Sequence, residues 1–245
     1  SGGAGRVTAE WIINGYMNED LYSLDIKRFQ KFHSSKKFIM SRVTETLGDL
    51  YGMHWPYKQH KTSRDQKLLP YHEDLKKAGA CFGQSGEYER PMWYALKDIK
   101  PEYEYSFNYQ NWYPSVEYES KSTTKNVGLF ELSPFSKYEI KGENAYEELQ
   151  RLCTANIKND IGKCTYTHML NEGGGIETDL TVVCINKTHF RIISSAAVRT
   201  HDKAHILKHL SKSVEFKDVT DDLICLGIFG PKSRELLSKI TNENL

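Results

Sequence analysis

The chain has 245 residues, of which 39% are hydrophobic and 27% charged, enough to bury a sizeable core as one large domain or two small ones. Lys and Arg total 33 against 32 Asp and Glu, so a net charge of +1 gives no general pull toward nucleic acid or an anionic membrane, and no apolar run approaches the ~20 residues of a membrane span. Five cysteines (81, 153, 164, 184 and 225) form no CxxC pair, which argues against a metal site and a disulfide framework and for reduced, mostly buried thiols in a cytoplasm or mitochondrial matrix.

The opening Ser1-Gly2-Gly3-Ala4-Gly5 reads as the interior of a longer protein, without a signal segment, and Leu245 falls within an apparent helix. Residues 6–15 are expected as a helix with Val7, Trp11 and Ile12 on one face and Gly15 at the C-terminal cap. The glycines before it read as a turn whose free N–H groups suit a phosphate or a polarised flavin edge, with a ligand-free tight turn as the plain alternative. From 25 to 115 aromatic residues and prolines are frequent and periodicity is scarce, apart from helices expected at 36–50 and 72–79. Such a segment is expected to wrap over another domain, not to close its own core. The polar run 115–126 marks the clearest boundary.

From 127 the pattern becomes α+β. Two strands flank Ser133-Pro134, and an amphipathic helix at 143–154 points Ala145, Leu149 and Leu152 inward. Strands at 163–170 and 176–185 flank the hairpin loop Asn171-Glu172-Gly173-Gly174-Gly175. A strand at 189–195, a helix at 199–211, a buried strand at 223–229 and a helix opened by Pro231 follow.

Two constellations carry chemistry. Alternation sets Ile176, Thr178, Leu180 and Val182 on one side of a strand and Glu177, Asp179 and Thr181 on the other. Just past a glycine hairpin, the Asp179 carboxylate is placed to accept a hydrogen bond from an amine or to act as an acid or base; an outward polar face is the alternative. His201, His205 and His209 recur at i, i+4, but no acidic residue completes a metal motif, so a solvated flank beside Ile206, Leu207 and Leu210 is expected, and no metal.

Longer segments carry a resemblance. GGAGRVTAEWIINGYMNEDLYSLDIKRF resembles the end of the flavin-binding domain of dimethylglycine and sarcosine dehydrogenases. Arg42-Val43-Thr44-Glu45, Gly79-Ala80-Cys81-Phe82-Gly83 and Gln110-Asn111-Trp112-Tyr113 are similar to that family's central linker domain. GLFELSPFSKYEIKG, YTHMLNEGGGIETDLTVV and FRIISSAAVRTHD resemble the glycine-cleavage T-protein module.

The resemblance implies an α+β aminomethyltransferase-like folate-binding domain at 121–245. It would be preceded by the tail of an FAD-binding oxidoreductase domain at 1–30 and a linker domain at 31–120. It implies a two-stage demethylation of a small methylated amine: FAD in the other part of the protein takes hydride, and tetrahydrofolate captures the one-carbon unit. Gly3, Ala4 and Gly5 would approach the flavin, and Asp179 would be the catalytic carboxylate beside the pterin. Met169, Leu170, Ile193 and Ser195 would line the pterin pocket. Ser195 stands where the family commonly has Asn, and Thr178 where it commonly has an acidic residue. The family's later folate glutamate and its flavin-tethering residue are not in the chain, so alone it is expected to oxidise nothing. Partners implied are the amine, folate and the flavin-domain half of the protein. The regulatory subunit of pyruvate dehydrogenase phosphatase resembles the same architecture and implies a non-catalytic alternative; a stand-alone aminomethyltransferase is a third.

Overall fold

The computed structural model describes residues 2–17 and 19–244. In chain order the helices are α1 (Gly2–Asn14), α2 (Lys36–Asp49), α3 (His72–Lys77), α4 (Tyr113–Lys125), α5 (Ala145–Leu152), α6 (Arg199–His209) and α7 (Ser233–Leu237). The strands are β1 (Ala80–Ser85), β2 (Tyr88–Tyr94), β3 (Gly128–Glu131), β4 (Ser136–Lys141), β5 (Cys164–Leu170), β6 (Ile176–Asn186), β7 (His189–Ser194), β8 (Glu215–Asp218) and β9 (Leu226–Phe229). They fall into two compact units that do not follow chain order: residues up to Gln30 join Ser136–Val219, and Lys31–Phe135 joins residues 220 onward.

The first unit is built on an antiparallel five-stranded sheet in the order β5-β6-β7-β4-β8. Its core consists of alternate residues of these strands: Tyr138 and Ile140, Leu180 and Val182, Phe190 and Ile192. Ala145 and Leu149 of α5 and Ile206 of α6 are buried against them, as the amphipathic spacing predicts for α5. Each buried aliphatic or aromatic side chain contributes roughly 1.5–3 kcal/mol through removal from water. The short charged strand β8 is not visible as apolar alternation; it is an edge, paired among the described residues only with β4.

Helix α1 starts four residues earlier than expected, so Gly3, Ala4 and Gly5 lie inside it and not in a turn before it. The Arg6–Glu10 ion pair at 2.9 Å adds i,i+4 support to this helix. Gly15 ends the helix at φ +76° and donates its N–H to Trp11 O at 2.9 Å, as a C-terminal cap requires.

The second unit closes a small core of its own around the β1–β2 hairpin, with Leu69, Ala80, Cys81, Tyr88 and Trp93 buried. The wrapping expected of residues 25–115 is therefore largely internal: Trp55 packs on Phe107 and Tyr57 on Trp112, and Tyr105 Oη accepts from Gln59 N–H. Beneath the hairpin, buried Glu89 accepts from Arg64 Nε at 2.8 Å and from a second guanidinium N–H.

The polar run 115–126 is mostly helix α4. Pro114 stands in its first turn, Glu117 and Lys121 pair at i,i+4, and Glu119 accepts Tyr94 N–H at 2.7 Å. A polar sequence docks here through hydrogen bonds, which apolar periodicity cannot register. The stretch 223–229 is not a buried strand: among the described residues β9 pairs only with β3, leaving Leu226 and Phe229 exposed. The last helix begins at Ser233, because Gly230 at φ +125° first turns the chain. All five cysteines are free, with Cys81, Cys153 and Cys184 buried. No helix among the described residues is long and apolar enough to cross a membrane.

Candidate functional site

The β5–β6 hairpin builds the site. Asn171 organises its loop: its Oδ1 accepts from Gly173 N–H at 3.0 Å and Gly175 N–H at 2.9 Å, while Gly174 takes φ +84°. A Cβ on Gly175 would lie 2.9 Å from Asn171 Nδ2, so that glycine is needed for the close approach. Asn171 Nδ2 in turn donates to Glu177 at 3.0 Å. The loop therefore fixes the first residues of β6, and alternation carries that placement to Asp179.

Thr178, Leu180, Val182 and Cys184 are buried, whereas Asp179 is exposed on the opposite face. Ile176, expected to share the buried side, is exposed, because the register slips between Met169 and Leu170 and re-aims the strand end. Asp179 pairs with His168, and Thr181 with both Tyr166 and Ile193, so these residues share one face of the sheet. Tyr166 donates its hydroxyl to Asp179 Oδ2 at 3.1 Å, and its ring, 61% exposed, meets His168 edge-on at 5.4 Å. That hydrogen bond to a carboxylate raises the pKa of the phenol. Sequence reading missed Tyr166; the available signal was its place three residues before Met169, on the alternate side of β5.

The other expected pterin residues divide. Ile193 lies on the Asp179 face and is half-buried, and Leu170 is partly exposed at the hairpin end. Ser195 follows β7, and its side chain is engaged in capping, accepting Ala197 N–H at 3.3 Å. Met169 is set apart: it is fully buried in the core on the opposite face, so its side chain is not at the surface that holds Asp179. Thr178, where the family commonly has an acidic residue, also points to the core side.

A reduced pterin presents N–H donors and a flat ring, and this face offers an acceptor carboxylate beside an exposed aromatic ring and Ile193. This acceptor and ring are complementary to such a group. Gly3, Ala4 and Gly5, expected to approach the flavin, are exposed residues of α1, and a Cβ at Gly3 or Gly5 would meet nothing within 4 Å.

The histidine stripe is not a solvated flank. His201 and His205 line a cavity of about 410 Å³ together with Trp11, Tyr22 and Glu177. His201 Nε2 lies 2.9 Å from Glu177 Oε2, and its Nδ1 lies 3.3 Å from Asp202 Oδ1, a fully buried carboxylate. The Asp202 contact, followed by the Glu177 charge, raises the His201 pKa against the opposing effect of burial. His205, without such a carboxylate contact, is lowered by burial and by neighbouring His209. One cluster among the described residues has metal-ligand proximity, Glu45, Asp49 and His60 in the second unit. There Lys58 already lies on Asp49 at 2.5 Å, and Glu45 accepts N–H groups of Lys61 and Thr62.

Residues 71–245 match the family model described as the GCVT N-terminal domain, and residues 14–68 match the FAD dependent oxidoreductase central domain. The chain is 37% identical over 244 residues to a 4-methylaminobutanoate oxidase (formaldehyde-forming) of Paenarthrobacter nicotinovorans, covering 99% of this chain and 30% of that protein. It is 32% identical to the mitochondrial pyruvate dehydrogenase phosphatase regulatory subunit of Mus musculus (98% and 28% covered). Against the mitochondrial dimethylglycine dehydrogenase of Rattus norvegicus the identity is 29% (100% and 29% covered). The chain thus spans between 28% and 30% of the length of these relatives. Among solved structures, the glycine cleavage system aminomethyltransferase T of Bartonella henselae matches at a TM-score of 0.60 and 25% identity, over 73% of this chain and 45% of that one. By sequence and by fold, the chain belongs to the GCVT N-terminal domain family, joined here to a stretch of the FAD dependent oxidoreductase central domain family.

Proposed function

We propose that the chain is the folate-binding portion of a flavin-dependent oxidoreductase that demethylates a small N-methylated amine of the sarcosine or dimethylglycine type. The observation that carries the reading is the exposed Tyr166–Asp179 pair on the sheet face opposite the core, beside Ile193. Tetrahydrofolate, when bound, supplies the nitrogen nucleophiles that take up the one-carbon unit. Asp179 accepts an N–H of the pterin and holds a proton during transfer. Tyr166 occupies Oδ2 and orients the carboxylate, leaving Oδ1 without a hydrogen-bond partner among the described residues. Leu170 and Ile193 shield the ring edge from water. Flavin belongs to another part of the protein, which the exposed Gly3–Gly5 segment of α1 would approach. The near-neutral charge supports small molecules and the flavin-bearing part as partners, not nucleic acid or membrane, in a bacterial cytoplasm or mitochondrial matrix.

The test is Asp179→Asn in the flavin-bearing protein. Flavin reduction by the amine stays unchanged. One-carbon transfer to tetrahydrofolate falls roughly 10²–10⁴-fold, as for loss of a positioned acid–base group, with formaldehyde released instead. Equal loss of both half-reactions would show a folding role, and no loss of either would remove Asp179 from the site. A non-catalytic regulatory role is the second reading, favoured by the 32% identity to the phosphatase regulatory subunit. In that case the flavin-bearing protein would turn over no methylated amine, while the Asp179 face could still bind folate.

A further inference from the structure

One residue ties the β5–β6 hairpin to α6. Strand β5 pairs Met169 with Thr178 and Leu170 with Ile176, so Glu177 is an extra residue without a partner in β5, a bulge that re-aims its side chain. Both oxygens of its carboxylate are held. Oε1 accepts from Asn171 Nδ2 of the hairpin loop at 3.0 Å, and Oε2 lies 2.9 Å from His201 Nε2 on α6. The His201 ring is enclosed as well. Its Nδ1 lies 3.3 Å from Oδ1 of fully buried Asp202, and the Tyr22 ring meets it edge-on at 5.2 Å. All of these residues belong to the first unit, and Asp179 follows Glu177 by two positions on the same strand.

A neutral imidazole has one donor and one acceptor nitrogen, so between two carboxylates one nitrogen would face oxygen lone pairs. The imidazolium donates from both. The Asp202 contact, and after it the Glu177 charge, raise the His201 pKa against the effect of burial. Of the other ionisable groups around it, His205 on α6 opposes its charge, and Lys208 is paired with Glu172 of the hairpin loop at 2.9 Å. Tyr16, Glu19, Asp20 and Asp25, from the segment after α1, line the same cavity. We propose that His201 is a positioning residue: protonated, it clamps the Glu177 bulge to α6 and so holds the Asp179 carboxylate in place on β6. The clamp itself is independent of one-carbon chemistry, while its effect on transfer rests on the folate reading proposed above. With its pKa raised, His201 holds the clamp fully below the ordinary histidine value of about 6.5 and releases it as pH rises through the folded value.

The experiment follows ¹H–¹⁵N chemical shifts of the 245-residue chain between ~pH 5.5 and ~pH 9.5. The Asp179 and Tyr166 amides should titrate with the same midpoint as the His201 ring. In Glu177→Ala, His201 still titrates beside Asp202, but the Asp179 amide should no longer follow it; a shift carried through space by the imidazolium charge alone would persist. In the flavin-bearing protein, one-carbon transfer to tetrahydrofolate should fall about five- to tenfold across that midpoint, with flavin reduction not following it. His201→Gln should transfer slowly at every pH, without that step. The proposal is overturned by an Asp179 amide indifferent to the His201 midpoint, by one that still follows it in Glu177→Ala, or by a transfer profile unchanged in His201→Gln while Asp179→Asn is impaired. If Asp179→Asn leaves transfer intact, the folate reading fails instead, and the amide titrations still decide the clamp.

Discussion

The two faces of the five-stranded sheet use the same strands for different ends. Along β6, Leu180 and Val182 are buried beneath α5 and α6, while Asp179 and Thr181, one residue away in each case, stand on the opposite side with Tyr166 and Ile193. The core face is closely packed and tolerates little change in volume; the opposite face carries a carboxylate and an ion-paired cluster in which Glu139 receives Arg191 at 2.7 Å. Stability and chemistry are thus divided by a strand period of two, so substitutions on alternate residues should separate them.

The largest effect on stability should come from the core face. Phe190→Ala removes a fully buried ring and should cost about 3–5 kcal/mol in urea unfolding. A loss under ~1 kcal/mol would break the division of the faces. Asp179→Asn, on the opposite face, should change stability by no more than ~0.5 kcal/mol while abolishing most one-carbon transfer. Tyr166→Phe sharpens the contrast further. It removes one hydrogen bond to Asp179 and should weaken tetrahydrofolate binding or transfer about three- to tenfold, with melting unchanged. A drop in melting temperature would instead make Tyr166 a structural residue.

The smallest effect concerns pH. Because Asp202 and Glu177 raise the His201 pKa, the protonated imidazole stabilises the folded chain fully below its unfolded value of about 6.5. That contribution disappears as pH rises through the folded pKa. The melting difference between the native chain and His201→Gln should therefore be greatest near ~pH 5.5 and shrink toward ~pH 9. The opposite trend would show that His201 is held neutral.

By itself the sequence determined the elements whose signals are local. The glycine loop with strands on either side predicted β5 and β6, the i, i+3, i+4 pattern predicted α5, and alternation already separated Asp179 from Leu180. Gly15 likewise announced the end of α1. Only the tertiary structure decided what depends on partners distant in the chain. The order β5-β6-β7-β4-β8 sets Ile193 on the face of Asp179, and the hairpin register brings Tyr166 to a residue thirteen positions on. The register slip exposes Ile176, and the hydrogen bonds of Glu119 and Ser115 dock the polar helix α4. The histidines of α6 read as surface because periodicity records only apolar burial. Their environment is made by Asp202 on the same helix together with carboxylates on other elements, Glu177 and Glu172, whose pairing no helical repeat encodes. Periodicity in a chain reports which residues leave water; which polar groups then meet is settled by long-range packing and the requirement that buried charges find partners.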